Sequence, residues 1–276
     1  MGTRELDYNE YIEIAEGTYW VGFADKTAGL HCNPYLIVDG DEAVLIDSGS
    51  RNDFSTVMLK IMRTGTNPGY IKRLIYHHYD PDLCGNIPHM EALIASKELK
   101  IISHRENNVF INYYATKSPM QCIETLDLNY EFKSGRILDF IHTPYSHSPG
   151  SFMTYDEKTK ILFSSDIFGS FDTNWSLYTQ ISERCADCTE AGICPYTKRE
   201  CQITGILNFH RRLMTSQKAL QYALSKVKEL GLSMIVPQHG SIINTPDSIR
   251  ILIDRLYKLD CVGIDNYLEE KGECVI

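Results

Sequence analysis

Four short segments of this 276-residue sequence together offer six side chains that could bind metal cations at one site. The segments are His77-His78-Tyr79-Asp80-Pro81-Asp82-Leu83, Ser146-His147-Ser148-Pro149-Gly150-Ser151, Phe163-Ser164-Ser165-Asp166 and Pro237-Gln238-His239-Gly240. Together they offer the imidazoles of His78, His147 and His239 and the carboxylates of Asp80, Asp82 and Asp166. Three imidazoles and three carboxylates are about what two adjacent metal ions need, with one carboxylate bridging. Taken singly, each has a plainer reading. A histidine after a strand is more often a surface or hydrogen-bonded residue, Asp80-Pro81-Asp82 is a common turn sequence, and Asp166 could cap a helix or turn. Their joint occurrence favours one shared site.

Each segment follows a stretch that reads as a β-strand, and loops at one edge of a rigid sheet are where distant parts of a chain converge. Tyr35–Val38 and Ala43–Ile46 are apolar strands joined by Asp39-Gly40-Asp41, a hairpin signal. A helix is expected over Phe54–Arg63, a turn over Thr64–Gly69, and a strand over Arg73–Tyr76 that runs into the His-rich loop His77–Gly85. Helix Ile87–Ser96, strand Lys100–Ser103 and a helical stretch near Glu106–Tyr114 follow. The second half restarts the pattern with strands Ile137–His142, Gly150–Tyr155 and Lys160–Ser164. A long amphipathic helix over Leu207–Leu230, strand Met234–Pro237 and helix Ser248–Leu268 complete it. Two sheet-then-helix units set face to face, helices outside, make a four-layer αββα sandwich, an α/β fold expected as one domain over residues 1–276. Phe168–Gln202 is a long irregular insertion, and segments of that length tend to be functional or lid-like.

Composition narrows the classes. Hydrophobic residues make up 43% and charged residues 23%, ordinary globular usage that excludes fibrous and disordered chains. The formal net charge is −9 with no basic cluster, so nucleic acid is a poor partner. No apolar run reaches the ~18 residues of a membrane span, and Met1–Trp20 carries no secretory pattern, so no membrane association is expected. Cys274 stands third from the end rather than fourth, so no prenylation box is expected. Nine cysteines, an odd number, favour thiols or metal ligands in a reducing cytoplasm over a disulfide framework.

With these motifs in order, the sequence resembles the metallo-β-lactamase superfamily from the Asp47 strand end to His239. Within it, the chain is most similar to the diiron domain of flavodiiron proteins, whose first motif reads His-x-Glu-x-Asp-His. Leu45-Ile46-Asp47-Ser48, Phe163-Ser164-Ser165-Asp166-Ile167-Phe168-Gly169 and Pro237-Gln238-His239-Gly240 carry the likeness. Hydrolytic members have His-x-His-x-Asp-His. A carboxylate at the middle position, here Asp80, hardens the site and favours iron or manganese over zinc. The resemblance implies that His78, Asp80 and His147 hold one iron, Asp82 and His239 the other, with Asp166 bridging. Leu83 departs from the pattern: it stands where the family has its final histidine, leaving that position to solvent or open under an apolar lid. Hydrolytic relatives read His-Thr-Pro-Gly-His where this chain has His142-Thr143-Pro144-Tyr145-Ser146-His147. His147 is assigned because it immediately precedes Ser148-Pro149-Gly150-Ser151, leaving His142 outside the ligand set.

Flavodiiron reductases append a flavodoxin-like domain, and no such unit or FMN site is expected in this chain. Without an internal electron source, two ferrous ions can still bind O2 as a diferric peroxide, and a slowly decaying adduct suits sensing better than turnover. The likeness thus narrows to stand-alone oxygen-binding diiron proteins, some of which are O2 receptors in bacterial chemotaxis. It implies signalling partners such as a histidine kinase complex and is compatible with an oligomer. A flavodiiron-type oxidoreductase reducing O2, NO or peroxide with an external electron donor is the alternative reading. A zinc hydrolase comes third, because Asp80 and Leu83 both leave the hydrolytic motif. Within the insertion, Cys185, Cys188, Cys194 and Cys201 could bind zinc or an iron–sulfur centre, or remain thiols in a mobile loop. Tyr79 and Tyr145 are the tyrosines expected to reach the site as hydrogen-bond donors, whereas Cys84 reads as a small apolar filler.

Overall fold

Side chains along the central strands alternate between two apolar clusters, and that alternation sets the architecture. The computed structural model describes residues 6–23, 31–171, 175–188 and 192–270. The first sheet runs in chain order: β1 (Ile12–Ala15), β2 (Thr18–Trp20), β3 (Tyr35–Asp39), β4 (Glu42–Ile46), β5 (Ile71–Ile75), β6 (Lys100–Ser103) and β7 (Met120–Cys122). The second sheet has β8 (Asn129–Glu131) at one edge, then β9 (Ile137–His142), β10 (Phe152–Asp156), β11 (Ile161–Phe163) and β12 (Met234–Val236). Leu36, Leu45, Leu74 and Ile101 face outward against α1 (Phe54–Arg63), α2 (Pro81–Cys84), α3 (Ile87–Ile94) and α4 (Arg105–Ile111) through Val57, Ile61, Leu83, Ile87 and Ile111. Their neighbours Tyr35, Ile37, Val44, Ile46, Ile75 and Ile102 face inward against Leu138, Phe140, Phe152, Ile161, Phe163 and Val236 of the second sheet. The outer face of that sheet, through Met153, Tyr155, Leu162 and Ile235, meets α5 (Gln202–Leu213), α6 (Gln217–Val227) and α7 (Pro246–Tyr257). The result is the αββα sandwich expected from the sequence, both sheets covered on both faces.

Three expectations change. The helix over Leu207–Leu230 is two helices, because Met214 turns extended and Ser216 caps α6, its Oγ accepting the Ala219 N–H at 3.2 Å. The closing helix Ser248–Leu268 is also split into α7, which begins behind Pro246 with a Thr245 cap, and α8 (Ile264–Glu270). Gly263 sits at the break at φ +71°, where a Cβ would meet the Thr215 and Met214 carbonyls. Within the His77–Gly85 loop, Pro81 starts the single helical turn of α2.

The described part of the insertion divides in two. Its first stretch is stitched to the body: Ile242 N–H donates to Leu177 O at 2.6 Å, Thr179 N–H to Ile242 O at 2.9 Å and Trp175 Nε1 to Gly240 O at 2.8 Å. Its later stretch, with Cys185, Cys188, Cys194 and Cys201, lines a cavity of about 330 Å³ against α5 and Arg255 of α7. Residues 172–174 and 189–191 of the insertion, and Cys274, lie outside the described residues. Among the described residues no helix is long and apolar enough to cross a membrane.

Candidate metal centre

Four strand ends bring the six predicted side chains to one edge of the sandwich. His78, Asp80 and Asp82 follow β5 of the first sheet; His147, Asp166 and His239 follow β9, β11 and β12 of the second. The one-turn helix α2 sets the spacing of the two aspartates, since Leu83 and Cys84 N–H groups both return to the Asp80 carbonyl. Ser151 Oγ, accepting the Ser148 N–H at 2.9 Å, closes the turn that carries His147. Gln238 N–H donates to Ser165 O at 2.8 Å, tying the His239 turn to the Asp166 turn. These loops hold unusual backbone: Asp47, Tyr145, His147, Ser165 and Phe168 all have positive φ, His147 at +99°. Such conformations cost of order 1–3 kcal/mol each and cluster where function over-determines them.

Asp166 lies at the middle of the cluster and is 2% exposed. Its Oδ2 is 3.8 Å from His78 Nε2 and 3.9 Å from His147 Nε2, while its Oδ1 is 3.7 Å from His239 Nε2. Asp80 Oδ2 lies 2.9 Å from His147 Nε2 and 3.8 Å from His78 Nε2; Asp82 Oδ2 lies 3.0 Å from His239 Nε2. Each imidazole therefore aims Nε2 at carboxylates. Supporting contacts orient the rings: His78 Nδ1 is 3.1 Å from Ser165 Oγ, His239 Nδ1 is 3.1 Å from the His31 carbonyl, and His147 bonds the Leu213 backbone. This is the arrangement that fixes the tautomer of metal-binding histidines.

The protonation pattern follows from crowding carboxylates with imidazoles. Burial works to raise the Asp82 carboxyl, yet the His239 hydrogen bond and charge outweigh it and hold it at about 2. Burial would lower His147, but its hydrogen bond to Asp80 and the Asp166 charge lift it to about 9. His239 is likewise raised against burial by Asp82 and Cys32, whereas burial dominates at His78 and lowers it. Protons here occupy lone pairs that a cation would take. Asp166 Oδ1 supports the same reading, being buried with no hydrogen-bond partner. An unmet buried acceptor costs ~1–3 kcal/mol, and a cation between Asp166 and His239 removes that cost. The donor set fits two hard divalent ions.

Two groups of donors have ligand atoms mutually within 4.8 Å among the described residues: His78, His147 and Asp166, and Cys32, Asp82 and His239. Cys32 was invisible to motif reading, for it precedes the first strand of any recognisable segment. Its only signal is three-dimensional, a β-bridge pairing it with His239. Leu83 contributes no donor and is wholly buried in the apolar cluster beneath α1 and α3. His142 lies apart, stacked on His104 at 4.4 Å, and His77 turns Nε2 to Thr154 Oγ1 at 2.8 Å. The Tyr79 ring packs on Phe110 at 4.4 Å and Tyr145 is 55% exposed, so the groups that brace the ligands are Ser165, His31 and Gln238 instead. Cys185, Cys188, Cys194 and Cys201 share a cavity wall but, among the described residues, form no donor group of that closeness.

Comparison with known proteins agrees with the fold. Residues 30–240 match the family model described as ODP family beta lactamase. Over 243 residues the chain is 30% identical to an uncharacterized protein of Methanocaldococcus jannaschii, covering 84% of this chain and 56% of that one. It is 25% identical over 218 residues to an anaerobic nitric oxide reductase flavorubredoxin of Enterobacter sp., covering 72% of this chain and 45% of the relative. The chain thus spans about half the length of these curated relatives. Among solved structures, the peroxy diiron species of the chemotaxis sensor ODP superposes with a TM-score of 0.70 at 25% identity, covering 95% of this chain and 99% of the other. The apo state of that sensor from T. denticola gives 0.69 at 25%, covering 95% and 97%. A flavodiiron protein from Giardia intestinalis shares the fold at 0.71 and 19% identity, covering 92% of this chain and 61% of its own. With a matched span that contains all six predicted ligands and the fold to hold them, the chain belongs to the ODP family beta lactamase.

Proposed function

We propose that this chain binds O2 at a pair of non-haem iron ions and reports its presence to a signalling partner, as an oxygen sensor in chemotaxis. The observation that carries the reading is Asp166, whose two carboxylate oxygens face opposite sets of histidines. His78, Asp80 and His147 would hold one iron, Asp82 and His239 the other, with Asp166 between them. When bound, the two ferrous ions supply the electrons that retain O2. The chain's own part is to fix the imidazoles through Ser165, His31 and Leu213 and to keep one side of the site apolar, Phe209 lying 6.0 Å from the His239 ring. The similarity to a chemotaxis sensor over nearly the whole of both chains supports the signalling half.

A route for the signal is built in. The His31 carbonyl braces His239, and the His31 ring stacks on Trp175 at 4.6 Å. Trp175 belongs to the insertion and also packs on Tyr8 and Trp20. A shift of His239 on O2 binding would reach the insertion through that stack, and only contacts that differ between the two states can transmit it.

The similarity to flavorubredoxin supports a second reading, reduction of O2 or NO by an external donor. Anaerobic protein loaded with Fe(II) and exposed to air separates the two. A visible charge-transfer band that persists with reductant present supports the sensor. Rapid bleaching with steady O2 consumption supports the oxidoreductase, and two zinc ions without a chromophore would leave the hydrolytic reading.

A further inference from the structure

We infer that Cys32 is the third protein donor of the half-site built by Asp82 and His239, taking over the coordination that Leu83 cannot supply; the inference rests on the two-ion reading above. Cys32 Sγ lies 3.9 Å from Asp82 Oδ2 and 4.0 Å from His239 Nδ1, and one donor atom from each of Cys32, Asp82 and His239 lies within 4.8 Å of the others. Asp166 Oδ1, buried and without a hydrogen-bond partner, lies 3.7 Å from His239 Nε2 of the same half-site.

The thiol is placed by a rigid local frame. Cys32 pairs with His239 in an antiparallel bridge, and the next residue locks the pairing. Asn33 N–H donates to Gln238 O at 2.8 Å, and its Nδ2 donates to Pro237 O at 3.0 Å and Gly240 O at 2.9 Å. Trp20 Nε1 donates to Asn33 Oδ1 at 2.8 Å, so every polar atom of that amide is engaged. Opposite, residue 22 is glycine, and a Cβ there would run into the Cys32 carbonyl. Cys32 is thus held to the His239 turn as firmly as one strand to another.

Charge supports the assignment. Asp80, Asp82, Asp166 and a Cys32 thiolate carry four negative charges, which balance two divalent ions. Coordination converts S–H to a metal–sulfur bond, with the proton released to solvent and no change of oxidation state, as a bound cation deprotonates a coordinating thiol. The half-site that holds Asp82 and His239 would then differ from the other in having a soft donor, which raises its preference for ions that accept sulfur.

Cobalt(II) provides the test, in the full-length metal-free chain loaded without oxygen. The wild type is expected to take up two ions and to show a thiolate-to-cobalt band in the near ultraviolet. Cys32→Ser should lose that band and bind the second ion at least about tenfold more weakly, since even outer partners of ligands cost that much. Cys32→Asp should recover two-ion binding without the band. Identical spectra and affinities in wild type and Cys32→Ser would overturn the assignment. Failure of the wild type to bind two ions would instead sink the two-ion reading. Should Cys32→Ser not fold, X-ray absorption on a zinc-loaded chain with Cys185, Cys188, Cys194 and Cys201 changed to Ser decides. A sulfur shell at about 2.3 Å supports the inference, and oxygen and nitrogen scatterers alone overturn it.

Discussion

Asp166 and His210 show how single residues carry this site, one by facing both halves and one by holding the turn beneath. Asp166→Ala removes the carboxylate shared by both histidine sets, so metal analysis is expected to find occupancy lost at both positions; retention of two tightly held ions would contradict bridging. His210 is buried under that turn, with Nε2 accepting the Phe168 N–H at 2.9 Å and Nδ1 donating to Ile206 O at 2.7 Å. The bond accepted at Nε2 requires the neutral ring, and burial lowers its pKa to about 4 from 6.5. The unfolded chain therefore binds the proton first as pH falls. Stability from His210 is complete above pH 6.5 and is lost as pH falls through 4, by up to ~3 kcal/mol at 1.36 kcal/mol per unit. Urea unfolding at pH 7 and pH 4.5 checks this, and His210→Gln, which can still donate and accept, should flatten the acid slope. The ligand types and their order were legible in the sequence. Cys32 was not, because only folding brings it across from His239.

Among elements, the central strands and the helix Phe54–Arg63 could be read because apolar residues recur there with a clear period. β1, β7 and β8 could not: each is an edge strand of three or four residues, too short for its alternation to register as a period. Both over-long helices were read through their breaks, since Thr215-Ser216 and Gly263 interrupt otherwise continuous amphipathic patterns. The insertion was expected to be functional or lid-like, and its first described stretch is bonded to the His239 loop, which suits a relay better than a gate. Trp175→Ala is accordingly expected to leave iron content unchanged while reducing the O2-dependent change in protease sensitivity of the insertion. An unaltered change would show that the signal leaves by another path.

Across the whole molecule, the two sheets are joined by apolar packing and by a buried arginine that reaches from one sheet to the other. Arg136, just before β9, pairs with Asp156 of β10 and donates to Thr18 Oγ1 of β2 in the other sheet at 3.1 Å. Asp156→Ala would leave the Arg136 charge buried and unpaired, and chemical denaturation is expected to show a loss of about 3–5 kcal/mol. A loss under 1 kcal/mol would mean that the guanidinium finds water instead. The metal centre depends on this junction, because one sheet supplies His78, Asp80 and Asp82 and the other His147, Asp166 and His239. The direct test of that shared centre is X-ray absorption with metal analysis on the anaerobically iron-loaded chain. Two irons per chain with a metal–metal scattering shell are predicted; a single iron, or two without that shell, would contradict the account.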